Sequence, residues 1–441
     1  MQKQVNCSQD DGRVTEIGCI LDVVSLYNRR LVTMTSGYQN QATECWTFQS
    51  QKRPPSIRLF NTIGVWLNGL NIRRPLVAGE ILHQACQRTK LSYWGEDDFI
   101  TPLELLIEAL EREAQLTPFG RAIMRGLLRS FVENRLRIQR YAMDHPAAME
   151  APLAPALVVI GMPRTGTTLL YNLLAQDPAA RPLLGWESLS PAPAPGKRLD
   201  LRSIQAGLIA VGIKRAVPEL SQIHPFSANA PEECTWLMMN TFRSWAFSLF
   251  AYVPSYENWL WRLDESAWAS VYEEYRRQLL VLQHQRAGAH WVLKSPVHLM
   301  SVGPLLKAVG GARVVLTERS PQESVPSTCS LFATMRALGS DHVDRPALGR
   351  NVVERLAEGL RRTQAARCAE PKRIICVKYS NLIADPVAEV RRIYNHFEIT
   401  LTSKAEASMR QWIRAMQHAP KHRYSLAQFG LDEAIINESF R

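Results

Sequence analysis

Hydrophobic positions follow two different rhythms along this chain. From about residue 76 they recur at helical spacing. Thr101 and Pro102 read as an N-cap and a first-turn proline, followed by Leu103, Leu106, Ile107 and Leu110 at i, i+3, i+4 and i+7. The signal repeats at Thr117 and Pro118, where Phe119, Ile123, Leu127 and Phe131 form a second stripe that His145 and Pro146 bring to a stop. Together these predict a helical hairpin. Past residue 150 short apolar runs alternate with amphipathic segments. The runs 156–161, 290–294, 313–318 and 373–378 predict strands, and 167–175, 268–285, 351–366 and 386–397 predict helices. That alternation is the signature of an α/β fold, a central parallel sheet flanked by helices, whose ligands bind at the carboxyl ends of the strands. The expected organisation is an unassigned extension over 1–57, a helical region over 58–150 packed on the core, and an α/β domain over 151–441.

Composition narrows the class. At 441 residues with 46% hydrophobic and 21% charged positions, the chain has ordinary globular usage and can bury a sizeable core. The most apolar stretch, 235–254, is interrupted by Asn240 and Arg243, and the N-terminus shows no basic region followed by an apolar one. No transmembrane segment and a cytoplasmic location are therefore expected. A net charge of +11 favours anionic partners, but the cations are scattered and no nucleic-acid-binding motif accompanies them, so no nucleic acid partner is expected. The eight cysteines form no C-x-x-C pair, and no histidine cluster has zinc-ligand spacing, which predicts reduced thiols and no metal.

The stretch around which the rest is organised is ALVVIGMPRTGTTLL (156–170), an apolar run that breaks at a glycine-bounded loop and resumes as an amphipathic segment. It predicts strand, phosphate-binding loop and helix. Gly161 and Gly166 have the spacing of G-x-x-x-x-G-K-[ST], in which backbone N–H groups and a helix N-terminus cradle a phosphate. Thr167 stands where a nucleoside triphosphatase carries its lysine, and Arg164 is the loop's only cation. The loop is thus suited to a single phosphate.

PRTGTT (163–168) resembles the 5′-phosphosulfate-binding loop of sulfotransferases that use 3′-phosphoadenosine 5′-phosphosulfate (PAPS). A second motif agrees: the strand RVVLTE (313–318) runs into Arg319-Ser-Pro, with Ser327 eight residues after Arg319, similar to the family's 3′-phosphate site. The resemblance spans about residues 76–431 and implies a P-loop-like three-layer fold. It also implies PAPS as sulfuryl donor, and transfer to the hydroxyl of a small-molecule or lipid-like acceptor; the aromatic, Met-rich stretch 236–261 favours a hydrophobic one. It leaves the oligomeric state open. Two departures stand out: Arg319-Ser-Pro replaces the usual Arg-Asp-Pro or Arg-Asn-Pro, and Glu318 stands where histidine is frequent.

In-line sulfuryl transfer needs cations at the sulfuryl and leaving oxygens and a base for the acceptor proton. The family pattern assigns Arg164 to the leaving phosphate and the sulfuryl group, where its planar fork would hold two oxygens. Lys294, ending the strand in WVLKSP (291–296), resembles the Lys-Ser-Pro segment of related enzymes and would stabilise charge on the bridging oxygen. Two residues compete for the base. His224, 60 residues after Arg164, titrates in a suitable range, and Glu187 in GWE (185–187) is the alternative. Glu232 and Glu233 read as acids in a helix first turn, and His298 as a further base candidate. Thr165, Gly166, Thr167 and Thr168 would hold the 5′-phosphate through backbone and hydroxyls. Arg319 and Ser327 would take the 3′-phosphate, Tyr379 the adenine ring, and Lys421 and Arg423 would come from a loop closing over the nucleotide. The competing reading is a degenerate P-loop nucleotide-binding protein or kinase-like NTPase. Against it stand the missing loop lysine and the lack of a strand ending in a magnesium-supporting acid.

Overall fold

The computed structural model describes residues 55–66, 74–196, 199–216, 226–415 and 425–441. Of the expected site residues, His224, Lys421 and Arg423 lie outside the described residues, as does 1–54.

Ahead of the sheet run α1 (Pro55–Trp66), α2 (Ala78–Thr89), α3 (Ile100–Arg112) and α4 (Pro118–Asp144), followed by a single turn of helix at Pro146–Glu150. The stripe on α3 faces inward as its spacing requires, with Leu103 and Leu106 fully buried. Burying each contributes roughly 1.5–3 kcal/mol. The start of α3 differs from expectation. A 3-10 turn, Asp97–Phe99, feeds directly into Ile100, so Thr101 lies inside the helix and does not cap it. At α4 the cap is as read: Thr117 Oγ1 accepts from the Gly120 N–H at 3.2 Å, with Pro118 in the first turn. Phe131 is buried as expected, but the rest of the buried stripe of α4 is rotated one residue, onto Gly120, Met124, Leu128 and Val132. Phe119 is only half-buried because it meets α1, its ring edge-on to Phe60 at 5.9 Å. Arg135 ties α4 to the rest of the fold, stacking over Phe99 at 4.1 Å and donating to Glu274.

The sheet contains β1 (Ala156–Gly161), β2 (Ala180–Pro182), β3 (His290–Lys294), β4 (Arg313–Glu318) and β5 (Ile374–Lys378), in spatial order β2-β3-β1-β4-β5. All four pairings are parallel. As the central strand, β1 is buried along its whole length, which is why it reads as an unbroken apolar run. Pattern alone misses β2: three residues containing an arginine and a proline carry no strand periodicity, and proline is tolerated there because β2 is an edge.

Between and around the strands run α5 (Thr167–Leu174), α6 (Gly185–Leu189), α7 (Arg202–Ala216), α8 (Glu265–Gln285), α9 (Pro321–Gly339), α10 (Arg345–Ala369), α11 (Tyr379–Ala384), α12 (Pro386–His396) and α13 (Ser403–Ala415). One face of the sheet, through Leu157, Val159, Val292, Val315 and Val377, packs on α5, α11, α12 and α13. The alternate residues Val158, Ile160, Leu293 and Val314 are equally buried, so helices cover both faces and the three-layer α/β expectation holds. At the start of α12 Asp385 caps as its position before Pro386 suggests, its carboxylate accepting from the Val387 and Ala388 N–H groups at 3.1 and 3.0 Å.

Candidate active site

At the carboxyl end of β1 the chain turns through Met162, Pro163, Arg164 and Thr165 into α5. Three residues of this loop have positive φ: Gly161 at 154°, Arg164 at 72° and Gly166 at 91°. The glycines are required sterically. A Cβ on Gly161 would lie 2.3 Å from Thr317 Oγ1, and one on Gly166 would lie 2.9 Å from the Tyr379 ring. Arg164 takes the left-handed conformation without that freedom, a local strain that turns its side chain outward to an exposed position. Within α5, i to i−4 bonding begins with the Leu170 N–H, which donates to the Gly166 carbonyl at 3.0 Å. The preceding first-turn amides thus face the loop's concavity, the arrangement that binds an anion.

The threonines divide their work. Thr165 is fully buried and its hydroxyl turns inward, 2.7 Å from the Met162 carbonyl and 2.6 Å from Thr317 Oγ1. Its hydroxyl holds the loop shape, and its N–H also points to the Met162 carbonyl, at 3.4 Å. Thr168 is exposed on the first turn of α5 and accepts a hydrogen bond from Lys294 Nζ at 3.2 Å.

Lys294 therefore reaches across from β3 to the loop. Parallel pairing of β3 with β1 sets Lys294 opposite Val159, below the loop, so its side chain rises to the first turn of α5. It is 2% exposed and ion-paired with Glu233. Glu233 in turn accepts from Thr235 Oγ1 at 2.9 Å, and Thr235 shares a hydrogen bond with Ser295 at 2.8 Å. Glu232 and Glu233 do not lie in a helix first turn, since the helix after them is Thr235–Met239; the Glu233 carboxylate is instead the counter-charge that orients Lys294. The Cys234 N–H also donates to the Lys294 carbonyl at 2.9 Å, and no local pattern announces that pairing.

On the other side of the loop, Arg319 leaves the end of β4 and donates to the Arg164 carbonyl at 3.1 Å. Its guanidinium lies 4.3 Å over the Tyr379 ring, and that ring is the surface Gly166 packs against. Loop, Arg319 and Tyr379 thus form one contiguous unit. Ser327 sits in the second turn of α9, 5% exposed. Glu318 does end strand β4, contrary to the sequence argument that no acid does so, but its carboxyl is hydrogen-bonded to the Cys376 thiol on β5. Replacing Arg319 with alanine is expected to weaken adenosine 3′,5′-bisphosphate about ten- to hundredfold, the worth of a charged hydrogen bond. Calorimetric titration measures this, and an unchanged affinity would remove Arg319 from the nucleotide site.

Glu187 is not placed as a base. It is fully buried in α6, gripped by the Arg181 fork at 2.7 and 2.9 Å, by Arg286 at 3.2 Å and by the Leu184 N–H at 2.9 Å. Burial pushes its pKa up, but hydrogen bonds from Arg181 and Arg286 outweigh that and hold the carboxyl below its ordinary range. A carboxylate so satisfied is a poor proton acceptor. His298 is also fully buried; burial pushes its pKa down to about 3, and its Nδ1 pairs with the Tyr272 hydroxyl at 2.9 Å. The Cys234 and Cys329 thiols are pushed up to about 12 by burial, which makes them unreactive. No group of His, Cys, Asp and Glu among the described residues is arranged to hold a metal ion.

The aromatic stretch after Glu233 belongs mostly to the core. Phe242, Phe247 and Met239 are fully buried, the two phenyl rings stacking at 6.2 Å, so these residues do not line an acceptor site. Trp236 is half-buried one residue past Thr235, against Phe131 and Phe250.

Residues 155–403, more than half of the chain, match the family model described as "Sulfotransferase family". Two curated relatives are the omega-hydroxy-beta-dihydromenaquinone-9 sulfotransferases Stf3 of Mycobacterium bovis and Mycobacterium tuberculosis. Each is 29% identical over 252 residues, which is 55% of this chain and 62% of the relative. The matched region thus spans somewhat under two thirds of their length. Among solved structures, sulfotransferase STF1 from Mycobacterium tuberculosis H37Rv superposes with a TM-score of 0.74 at 30% identity, covering 83% of this chain and 98% of that one. Sulfotransferase STF9 from Mycobacterium avium gives a TM-score of 0.75 at 29% identity, covering 83% and 96%.

Proposed function

The chain belongs to the sulfotransferase family, and from that premise we propose that it transfers the sulfuryl group of PAPS to the hydroxyl of a hydrophobic acceptor. The observation that carries this reading is Lys294 meeting Thr168 at 3.2 Å, which sets a buried cation from β3 beside a phosphate loop that has no lysine of its own.

The residues present fit the donor. The positive-φ loop and first-turn amides of α5 suit one 5′-phosphate, with Arg164 and Thr168 exposed above them. Arg319, stacked on Tyr379, supplies a fork for the 3′-phosphate, and Tyr379 orients that fork in addition to any contact with adenine. PAPS supplies an activated sulfuryl group whose sulfur–oxygen bond to the 5′-phosphate breaks as a bond to the acceptor oxygen forms. Adenosine 3′,5′-bisphosphate and the sulfate ester are the products, and the acceptor proton passes to a base.

Lys294 stabilises the negative charge developing on the leaving oxygen, and Glu233 keeps the ammonium aimed there when the site is empty. His224 keeps its place as the proposed base, since the arginine-bound Glu187 is unavailable. The hydrophobic acceptor is proposed by analogy with the relatives named for a menaquinone derivative.

Calorimetric titration with adenosine 3′,5′-bisphosphate and, separately, with ATP and Mg²⁺ tests the donor class. Tight binding of the bisphosphate and little of Mg-ATP is expected. A preference for Mg-ATP would install the kinase-like reading instead.

A further inference from the structure

One helix of the fold has its polarity reversed. Along α7 the residues turned to the protein body are mostly small or polar: Arg202 and Ala206 are buried, and Ala210 is half-buried together with one aliphatic residue, Ile213. Four of its five large aliphatic side chains are exposed to solvent, Ile204 by 62%, Leu208 by 60%, Ile209 by 48% and Val211 by 45%. Leu199 and Leu201, 74% and 47% exposed, extend the patch ahead of the helix. Single exposed aliphatics are ordinary on a protein surface; a contiguous set on one helix marks an interaction surface.

The inner face is firmly fixed, so the outward face is not a loosely held core segment. Arg202 donates to the Ser190 carbonyl at 2.8 Å and to Gln285 Oε1, and its guanidinium lies 4.7 Å over the Trp186 ring.

Charge selects the partner. No acidic residue occurs from 201 to 216, Lys214 and Arg215 are exposed in the last turn, and Lys197 and Arg198 precede Leu199 in the sequence. Asp200, the one acid nearby, is neutralised by Arg202 at 2.6–3.1 Å. Apolar residues between basic flanks match a lipid interface with anionic headgroups, where aliphatic side chains enter the acyl boundary and cations meet phosphates. We propose that α7 docks this protein on an anionic lipid surface. The proposal stands on the exposed face and its flanking charges, and holds whether or not the site transfers a sulfuryl group.

The test is flotation of the full chain with phosphatidylcholine vesicles, with and without phosphatidylglycerol. Two double variants accompany it, Ile204→Gln with Leu208→Gln, and Lys214→Glu with Arg215→Glu. Light scattering of each variant gives its oligomeric state, and bisphosphate affinity serves as the check on folding. The wild-type chain is expected to float with the anionic vesicles and far less with neutral ones. Each double variant should bind them about tenfold or more weakly while keeping its bisphosphate affinity. Failure of the wild-type chain to float overturns the proposal. So do variants that float like the wild type. A dimer that the Ile204→Gln and Leu208→Gln pair converts to monomer, with vesicle binding intact, would assign the face to a second copy of this chain and likewise overturns it.

Discussion

A Lys294→Met enzyme is expected to turn over about a hundred- to a thousandfold more slowly than the wild type, the usual cost of removing one preorganised charge at a developing oxyanion. The ammonium is 2% exposed and bonded to Thr168 in the first turn of α5, so its field acts with little screening by water. Methionine keeps most of the stem's packing and removes only the charge. The loss should appear in kcat, measured under saturating donor and acceptor, with adenosine 3′,5′-bisphosphate affinity changing much less. Glu233 is then left without its cation, but at 18% side-chain exposure it can recruit water, so the fold should tolerate the change. An unaltered kcat would remove Lys294 from the reaction and with it the main support for the proposed transfer.

The second large effect concerns stability. Glu187→Gln strips the charge from a carboxylate bound by Arg181 and Arg286, and Arg181 is itself fully buried, stacked 4.0 Å over Trp291. Leaving such a guanidinium uncompensated costs about 3–5 kcal/mol. Thermal unfolding should show a clearly lowered Tm, while the folded variant retains its bisphosphate affinity and its kcat. The opposite split, an unchanged Tm with turnover abolished, would restore Glu187 as the base. The pH dependence has a definite sign. The folded pKa of Glu187 lies below its ordinary value of 4.5, so its stabilisation is complete above that value and is lost as pH falls below it towards the folded pKa. The Tm gap between wild type and Glu187→Gln should therefore close on acidification below about 4.5, and remain constant near neutrality.

Much of this protein is legible in its sequence because the signals are local. The β1 run, the glycine spacing at Gly161 and Gly166, the α3 stripe and the Thr117 and Asp385 caps depend on residues within one or two turns of each other, and backbone sterics and side-chain periodicity dictate them directly. The phosphate loop and Arg319 follow for the same reason, each set by the strand it terminates. What only the tertiary structure decided are the long-range partners. Glu187 lies early in a short helix and Glu233 just ahead of one, and both read from sequence as carboxylates at a helix start. One is sealed between Arg181 and Arg286 and the other meets Lys294, because the parallel order β2-β3-β1 brings chain segments a hundred residues apart to one sheet edge. The inward turn of the Thr165 hydroxyl depends likewise on Thr317 in the adjacent strand. Which side of an aliphatic-rich helix such as α7 faces solvent is also settled by what the rest of the fold offers it. Sequence determines which groups can ionise or bury; the packing of distant strands determines which charges they meet.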